Sequence, residues 1–227
     1  MSGVDEIAIV IPVRNEEELL QRCLDSLSVA EWEARHMGAR VRIVAVLDRC
    51  SDRSVEIAVS DGAEPVFSTA GRVGVTRGLG VAHALKHRRV LYPHKLWIAN
   101  TDADSVVPAN WITEQLRLAA GGYDLVVGAV EPDPDDLSAV DLLTWRSQHD
   151  FDADHPHVFG ANLGVRASAY VAVGGFADVA TGEDVALVAA LRAAGVPEVR
   201  TSEPRVTTSG RSAGRAIGGF ADYIAAL

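Results

Sequence analysis

Apolar runs of strand length alternate with helical patterns along the chain, and this alternation constrains the fold more than any other feature. The runs are continuous, without the polar alternation of a half-exposed strand, so they predict strands buried on both faces. Strands separated by helices are typical of a mainly parallel, doubly wound α/β sheet. The predicted strands cover residues 7–11, 41–47, 64–67, 95–99 and 124–130.

The intervening segments predict helices, each with its own start or stop signal. Asn15 is expected to cap the first helix, whose apolar side chains then recur at helical spacing. Pro108 suits the first turn of a later helix. Residues 73–87, 137–149 and 182–194 predict three more helices, 159–166 an edge strand, and the region near Val206 a final strand.

Composition sets limits on the class of protein. The chain has 227 residues, 48% of them hydrophobic, and a formal net charge of -10 at pH 7. This size fits a single domain, and the acidic balance argues against nucleic acid as a partner. No apolar run reaches the ~18 residues that span a bilayer, and no signal peptide is evident. Two cysteines without metal-ligand spacing fit a reduced, cytoplasmic protein.

Two aspartates follow the strand at 95–99 and carry the strongest chemical signal. Asp102 and Asp104 stand one residue apart, where the chain leaves the sheet. Two converging carboxylates are costly unless a cation lies between them. Oxygen ligands suit Mg²⁺ or Mn²⁺, which also bind substrate phosphates. The pattern predicts a metal-bridged diphosphate at this strand end.

Four segments in a fixed order resemble the inverting glycosyltransferases of family two, which have the GT-A fold. The segments are 9–16 (IVIPVRNE), 46–52 (VLDRCSD), 100–104 (NTDAD) and 182–184 (GED). The resemblance spans roughly residues 7 to 195. It implies a single GT-A domain over 1–227, with a Rossmann-like nucleotide half at 1–104 and a smaller acceptor half at 105–227.

The resemblance implies where the nucleotide would bind. Asp48 would accept a hydrogen bond from a ring N–H of the base, and Asp102 would contact the ribose or a metal-bound water. Segment 74–80 (GVTRGLG) is similar to the family's Ala-Arg-Asn-x-Gly segment, with Gly78 in place of the asparagine, and its arginine could contact diphosphate. The implied nucleotide-binding residues are Pro12, Arg14, Asn15, Glu16, Asp48, Arg72, Arg77 and Asp102.

The resemblance also implies the metal ligands and the base. Asp104 would bind the metal directly. Asp184 would be the general base that takes the acceptor's proton, with Glu183 positioning the acceptor or the base. Acidic residues also favour the first turn of a helix, so these two residues gain their catalytic interpretation from the upstream aspartates.

The implied sugar and acceptor pocket lies before this pair. Segment 159–166 is similar to the family's donor-sugar and acceptor segment, which gives roles to Gly160, Ala161 and Asn162, and Trp145 could stack on a sugar. The tail departs from the family pattern, because the last histidine is His157 and no late histidine can supply a third metal ligand. Arg211 and Arg215, on a glycine-rich loop, could instead close over the diphosphate.

These features favour a metal-dependent glycosyltransferase that uses a nucleoside-diphosphate sugar. A nucleotidyltransferase or a dinucleotide-binding oxidoreductase is disfavoured, because the loop after the first strand lacks the glycines that each of these classes requires. UDP, GDP and dTDP donors, and small-molecule or lipid-linked acceptors, stay open, as does the oligomeric state. Inversion is the family's usual outcome, although a related GT-A class retains configuration. The alternative is a catalytically inactive nucleotide-sugar-binding or assembly module.

Overall fold

An eight-stranded sheet forms the centre of the computed structural model, which describes residues 3–149, 155–211 and 224. Its strand order is β3-β2-β1-β4-β7-β6-β8-β5. The first four predicted strands and the strand from 124 are confirmed, within one or two residues at most ends. The strands are β1 Glu6–Val13, β2 Arg40–Asp48, β3 Glu64–Ser68, β4 Leu96–Asn100, β5 Ser105–Val106, β6 Leu125–Pro132, β7 Leu163–Arg166 and β8 Glu198–Thr208.

Helices cover both faces of this sheet. The predicted helix at 73–87 is confirmed without change, and those at 137–149 and 182–194 are confirmed with slightly shorter bounds. The short α6 follows β7 directly and is not predicted by the sequence pattern. The helices are α1 Leu20–His36, α2 Ser54–Ser60, α3 Val73–His87, α4 Trp111–Ala120, α5 Ala139–Gln148, α6 Ala167–Ala172 and α7 Glu183–Ala193.

The sheet is parallel on one side and mixed on the other. Strands β1 to β4 pair in parallel, as the alternation of strands and helices predicts. Strand β7 lies between β4 and β6 and is antiparallel to both. The prediction of an edge strand at 159–166 is therefore wrong: β7 is central, and all four of its residues are buried.

Each sheet face has its own core, because successive side chains of a strand point to opposite faces. In β1, Ile7 and Ile9 pack on the side of α1 and α4, whereas Ala8 and Val10 pack on the side of α3 and α7. This two-sided burial explains why β1 is a continuous apolar run.

Glycine lets α3 lie close to the sheet. A Cβ on Gly80 would stand 2.6 Å from Cγ1 of Val10 and 2.7 Å from Cγ2 of Val46. Those distances are shorter than any ordinary carbon contact, so the position requires glycine for close packing.

Two predicted helix starts are wrong. Asn15 does not cap α1, which begins at Leu20; instead its side-chain oxygen accepts from the backbone N–H of Ser51. Pro108 precedes α4 by three residues, because Trp111 is the first helical residue and its N–H bonds the Pro108 carbonyl. In both places the residue belongs to the loop before the helix and makes its hydrogen bond there, so the helix begins later than the sequence predicts.

Within the described ranges, no helix is both long enough and apolar enough to cross a bilayer.

Candidate functional site

The predicted site residues collect at the carboxyl ends of β1, β2 and β4. The chain continues from β1 to β2 on one side and returns to β4 on the other, so the strand order reverses beside β1. Ligands of open α/β sheets bind at such a switch point. The start of α7 and the end of β8 border the same edge.

Two loops at this edge contain left-handed residues other than glycine. Asn15, just after β1, has φ of 53°, and Arg49, just after β2, has φ of 54°. Such conformations are uncommon outside glycine and are held by their surroundings. Asn15 bonds the backbone of Ser51, and Nε of Arg49 donates to the Thr69 carbonyl. The loops after β1 and β2 are thus tied together.

Asp48 ends β2 and holds the loop that leads to α3. Its two carboxylate oxygens accept from the N–H of Gly71, at 2.8 and 3.1 Å. Gly71 has φ of 68°, and a Cβ there would meet the guanidinium of Arg49 at 2.6 Å. The Asp48 carboxylate is therefore fixed in place at the predicted base-binding position.

Arg77 joins two of the predicted motifs. Its Nη2 lies 2.5 Å from Oδ1 of Asp102, and its Nε lies 3.4 Å from Oε1 of Glu183. Nη1 donates to the Thr101 carbonyl at 3.3 Å. The Arg77 side chain is only 3% exposed. Its guanidinium is directed at protein carboxylates, which differs from the sequence-based expectation of a diphosphate contact.

A second guanidinium in the site, that of Arg211, contacts Asp104. The Arg211 guanidinium binds both oxygens of Glu16, at 2.7 and 2.9 Å, and lies 2.9 Å from Oδ2 of Asp104. The paired Glu16 carboxylate raises the pKa of Arg211 still further. Arg211, at the end of the described range 155–211, thus reaches the loops after β1 and β4.

The surroundings of Asp104 favour its protonated form. Burial, and then the neighbouring Asp102 carboxylate, raise the pKa of Asp104 from 3.8 to about 6, against the opposing effect of Arg211. The Thr208 hydroxyl donates to Asp104 at 3.3 Å and itself accepts from Ser105 at 2.9 Å. The sequence analysis did not single out Thr208, and only the pairing of β5 with β8 brings it here.

Asp184 stands at the beginning of α7, half-buried. Its Oδ2 accepts from the N–H of Gly160 at 2.7 Å, so the segment before β7 contacts the predicted base. Burial raises the pKa of the adjacent Glu183, and the Arg77 guanidinium opposes this rise. The structure therefore brings the GED segment and Gly160 together.

Five carboxylates in this region influence one another electrostatically, and two guanidiniums accompany them. The remaining negative charge favours a cation, and the Asp102 carboxylate is, after burial, the second cause of the raised pKa of Asp104. In the described part of the chain, no three His, Cys, Asp or Glu side chains are arranged to hold a metal ion. Two aspartates with water and substrate phosphate are nevertheless a donor set that Mg²⁺ accepts. The carboxylates are those of Glu16, Asp102, Asp104, Glu183 and Asp184.

The other predicted nucleotide contacts lie around this edge. Pro12 and Arg14 are partly buried at the end of β1. Arg72 precedes α3, and its Nη1 lies 2.7 Å from Oδ1 of Asp178 in a largely exposed ion pair. Arg72 is the N-cap residue of α3, the helix that carries Arg77. Arg215 lies outside the described residues.

Two predicted sugar contacts are buried instead. Asn162 is 3% exposed, its oxygen accepts from the Trp111 indole, and its amide donates to the Ala129 and Pro204 carbonyls. Trp145 is 1% exposed and stacks on His149 with ring centroids 3.5 Å apart. Packing and hydrogen bonds occupy both side chains, which differs from the expectation that they contact a sugar. Gly160 and Ala161 are also buried.

Solved glycosyltransferase structures share this architecture. Residues 1–349 of TarS from S. aureus, in complex with UDP-GlcNAc, match with a TM-score of 0.69 at 10% identity, over 95% of this chain and 61% of that one. The mannosyltransferase PcManGT from Pyrobaculum calidifontis, with GDP-Man and Mn²⁺, matches with a TM-score of 0.63 at 17% identity, over 92% and 58%.

A third match is glucosyl-3-phosphoglycerate synthase from Mycobacterium tuberculosis, in complex with Mn²⁺, UDP and glucosyl-3-phosphoglycerate. Its TM-score is 0.58 at 14% identity, over 98% of this chain and 78% of that one. These likenesses establish the GT-A fold. The chain spans about three fifths of the length of the TarS fragment.

Sequence comparison assigns the family. A search of curated proteins found no match. The profile described as glycosyl transferase family 2 matches residues 8–168, well over half of the chain, and includes most of β1, all of β2 and both aspartates after β4. The chain therefore belongs to glycosyl transferase family 2.

Proposed function

We propose that this protein is a metal-dependent glycosyltransferase that moves a sugar from a nucleoside diphosphate to an acceptor hydroxyl, with inversion. The observation that carries the proposal is the convergence of Asp102, Asp104 and Asp184 at one switch point of a GT-A sheet. The similar structures crystallised with UDP-GlcNAc, GDP-Man or UDP, two of them with Mn²⁺, support it.

Asp184 is the proposed base. As the acceptor oxygen attacks the anomeric carbon, its proton passes to the Asp184 carboxylate and the bond from that carbon to the diphosphate oxygen breaks. The leaving nucleoside diphosphate keeps the electron pair, and attack from the opposite side inverts the configuration. The N–H of Gly160 holds one carboxylate oxygen of Asp184 and so orients it.

The aspartates after β4 are the proposed metal ligands, Asp104 directly and Asp102 directly or through water. A divalent cation there would neutralise charge on the departing diphosphate. Arg211 already lies beside Asp104, where a guanidinium suits phosphate oxygens. Asp48, at the end of β2, is the proposed partner of the nucleoside base.

Nucleotide binding tests the proposal first. Thermal unfolding is measured with UDP, GDP, dTDP or ADP, each with and without Mn²⁺. A ligand at one hundred times its Kd stabilises the native state by ~2.7 kcal/mol. Stabilisation by one diphosphate only with Mn²⁺ supports the proposal and names the donor base. If none of the four stabilises the protein, the proposal is refuted.

Two site variants then separate binding from transfer. Asp104→Ala should abolish metal-dependent nucleotide binding, whereas Asp184→Asn should retain binding and lose transfer. Asp25→Asn, on the exposed side of α1, is the matched control and should retain both. Metal-dependent binding without turnover of any nucleotide sugar would instead identify a binding or assembly module.

A further inference from the structure

The buried Arg77 guanidinium connects three parts of the candidate site. It reaches Asp102 and the Thr101 carbonyl after β4, and Glu183 at the first turn of α7, from its own place on α3. A planar guanidinium has five donors in a fixed fork, so one side chain can serve all three acceptors.

Two glycines make room for this connection. A Cβ on Gly160 would stand 2.6 Å from Nη2 of Arg77, and a Cβ on Gly74 would stand 2.7 Å from Cβ of Glu183. The Arg77–Glu183 pair therefore packs directly against the backbone of Gly74 and Gly160. Gly160 is also the residue whose N–H donates to Asp184. Little space remains in which either side chain could move.

We propose that Arg77 is a positioning residue that holds Asp102 and the start of α7 at a fixed distance from each other. It thereby places the Asp184 carboxylate relative to Asp102, beside which the nucleotide is proposed to bind. It acts through Glu183 and Gly160, not by contact with the diphosphate. This role rests on the proposed glycosyl transfer, in which Asp184 is the base.

A double-mutant cycle tests the role in catalysis. Arg77→Lys keeps the charge but replaces the rigid planar fork, which spans Asp102, Glu183 and the Thr101 carbonyl, with a single ammonium on a flexible stem. Glu183→Gln keeps the shape and removes the acceptor charge. If the two residues act as one unit, each variant lowers kcat at least tenfold, donor KM changes less than threefold, and the double variant is within twofold of Arg77→Lys.

A matched surface pair provides the control. Nη2 of Arg117 lies 2.6 Å from Oε1 of Glu114 on α4. Arg117→Lys and Glu114→Gln, alone and together, should leave kcat and KM unchanged. Multiplicative effects of Arg77→Lys and Glu183→Gln would overturn the proposal. So would a rise in donor KM alone in Arg77→Lys, which is the result expected of a direct diphosphate ligand.

A second measurement does not depend on turnover. The N–H of Gly160 donates to Asp184 at 2.7 Å, and this bond should protect it from hydrogen exchange. Arg77→Lys should speed the exchange of this amide at least tenfold, and Arg117→Lys should not. Unchanged exchange in Arg77→Lys overturns the proposal. If the unaltered protein transfers no sugar but the Gly160 amide responds as expected, the proposed function fails, and only the structural effect of Arg77 on the Gly160–Asp184 bond stands.

Discussion

Replacing Asp104 with asparagine should make the ligand-free protein more stable while removing its metal-dependent nucleotide binding. Burial and the Asp102 carboxylate raise the pKa of Asp104 from 3.8 to about 6. An acid whose pKa is higher in the folded state destabilises that state once it is ionised. The rise corresponds to about 3 kcal/mol at neutral pH, since a tenfold change in proton affinity is worth about 1.4 kcal/mol.

The pH window follows from the same shift. The unaltered protein should lose stability as pH rises from about 4, where the unfolded state ionises, to about 6, where the folded state does. Above pH 6 the cost is constant. Asp104→Asn removes the titrating group, so its advantage should be absent near pH 4 and reach about 3 kcal/mol at pH 7.5. The Asp104 pKa of about 6 already includes the lowering effect of the nearby Arg211 guanidinium.

Urea unfolding from pH 4 to 8 measures this difference, with Asp25→Asn as the control. A variant that is less stable than the unaltered protein at pH 7.5, or whose advantage is independent of pH, would refute the reasoning. Mn²⁺ with the cognate nucleotide should stabilise the unaltered protein and leave Asp104→Asn unaffected. Together these results would show that Asp104 is retained for binding at a cost in stability.

Three further substitutions test the fold by urea unfolding. Hydrogen bonds from Arg42 lower the pKa of Glu64 from 4.5 to about 2, against the opposing effect of burial. Glu64→Gln should therefore be less stable than the unaltered protein at pH 7, and this difference should disappear as pH falls from about 4.5 to 2. Gly80→Ala should cost about 1–3 kcal/mol, because its Cβ would overlap Val10; a gain in stability would contradict the packing argument. Asn162→Ala should cost about 3 kcal/mol by leaving an indole N–H and two carbonyls without their partner, and a cost below 1 kcal/mol would contradict it.

Local chemistry explains most of the correct sequence predictions. The parallel strands are confirmed because burial on both faces leaves a continuous apolar run, as in β1. The helix at 73–87 is confirmed despite its glycines, because Gly80 serves close packing against Val10. By contrast, β7 could not be placed from sequence, since a short apolar strand has the same pattern at an edge or at the centre of a sheet.

In the candidate site, too, some features follow from the local sequence and others only from tertiary packing. The sequence by itself determined which carboxylates follow strand ends, because strand-end chemistry is local: Asp48, Asp102 and Asp104 all lie at one edge of the sheet. Only the tertiary structure decided their partners. Arg77 contacts Glu183, 106 residues away, and Arg211 contacts Glu16 across 195 residues, and no local pattern encodes contacts that form only when the chain packs.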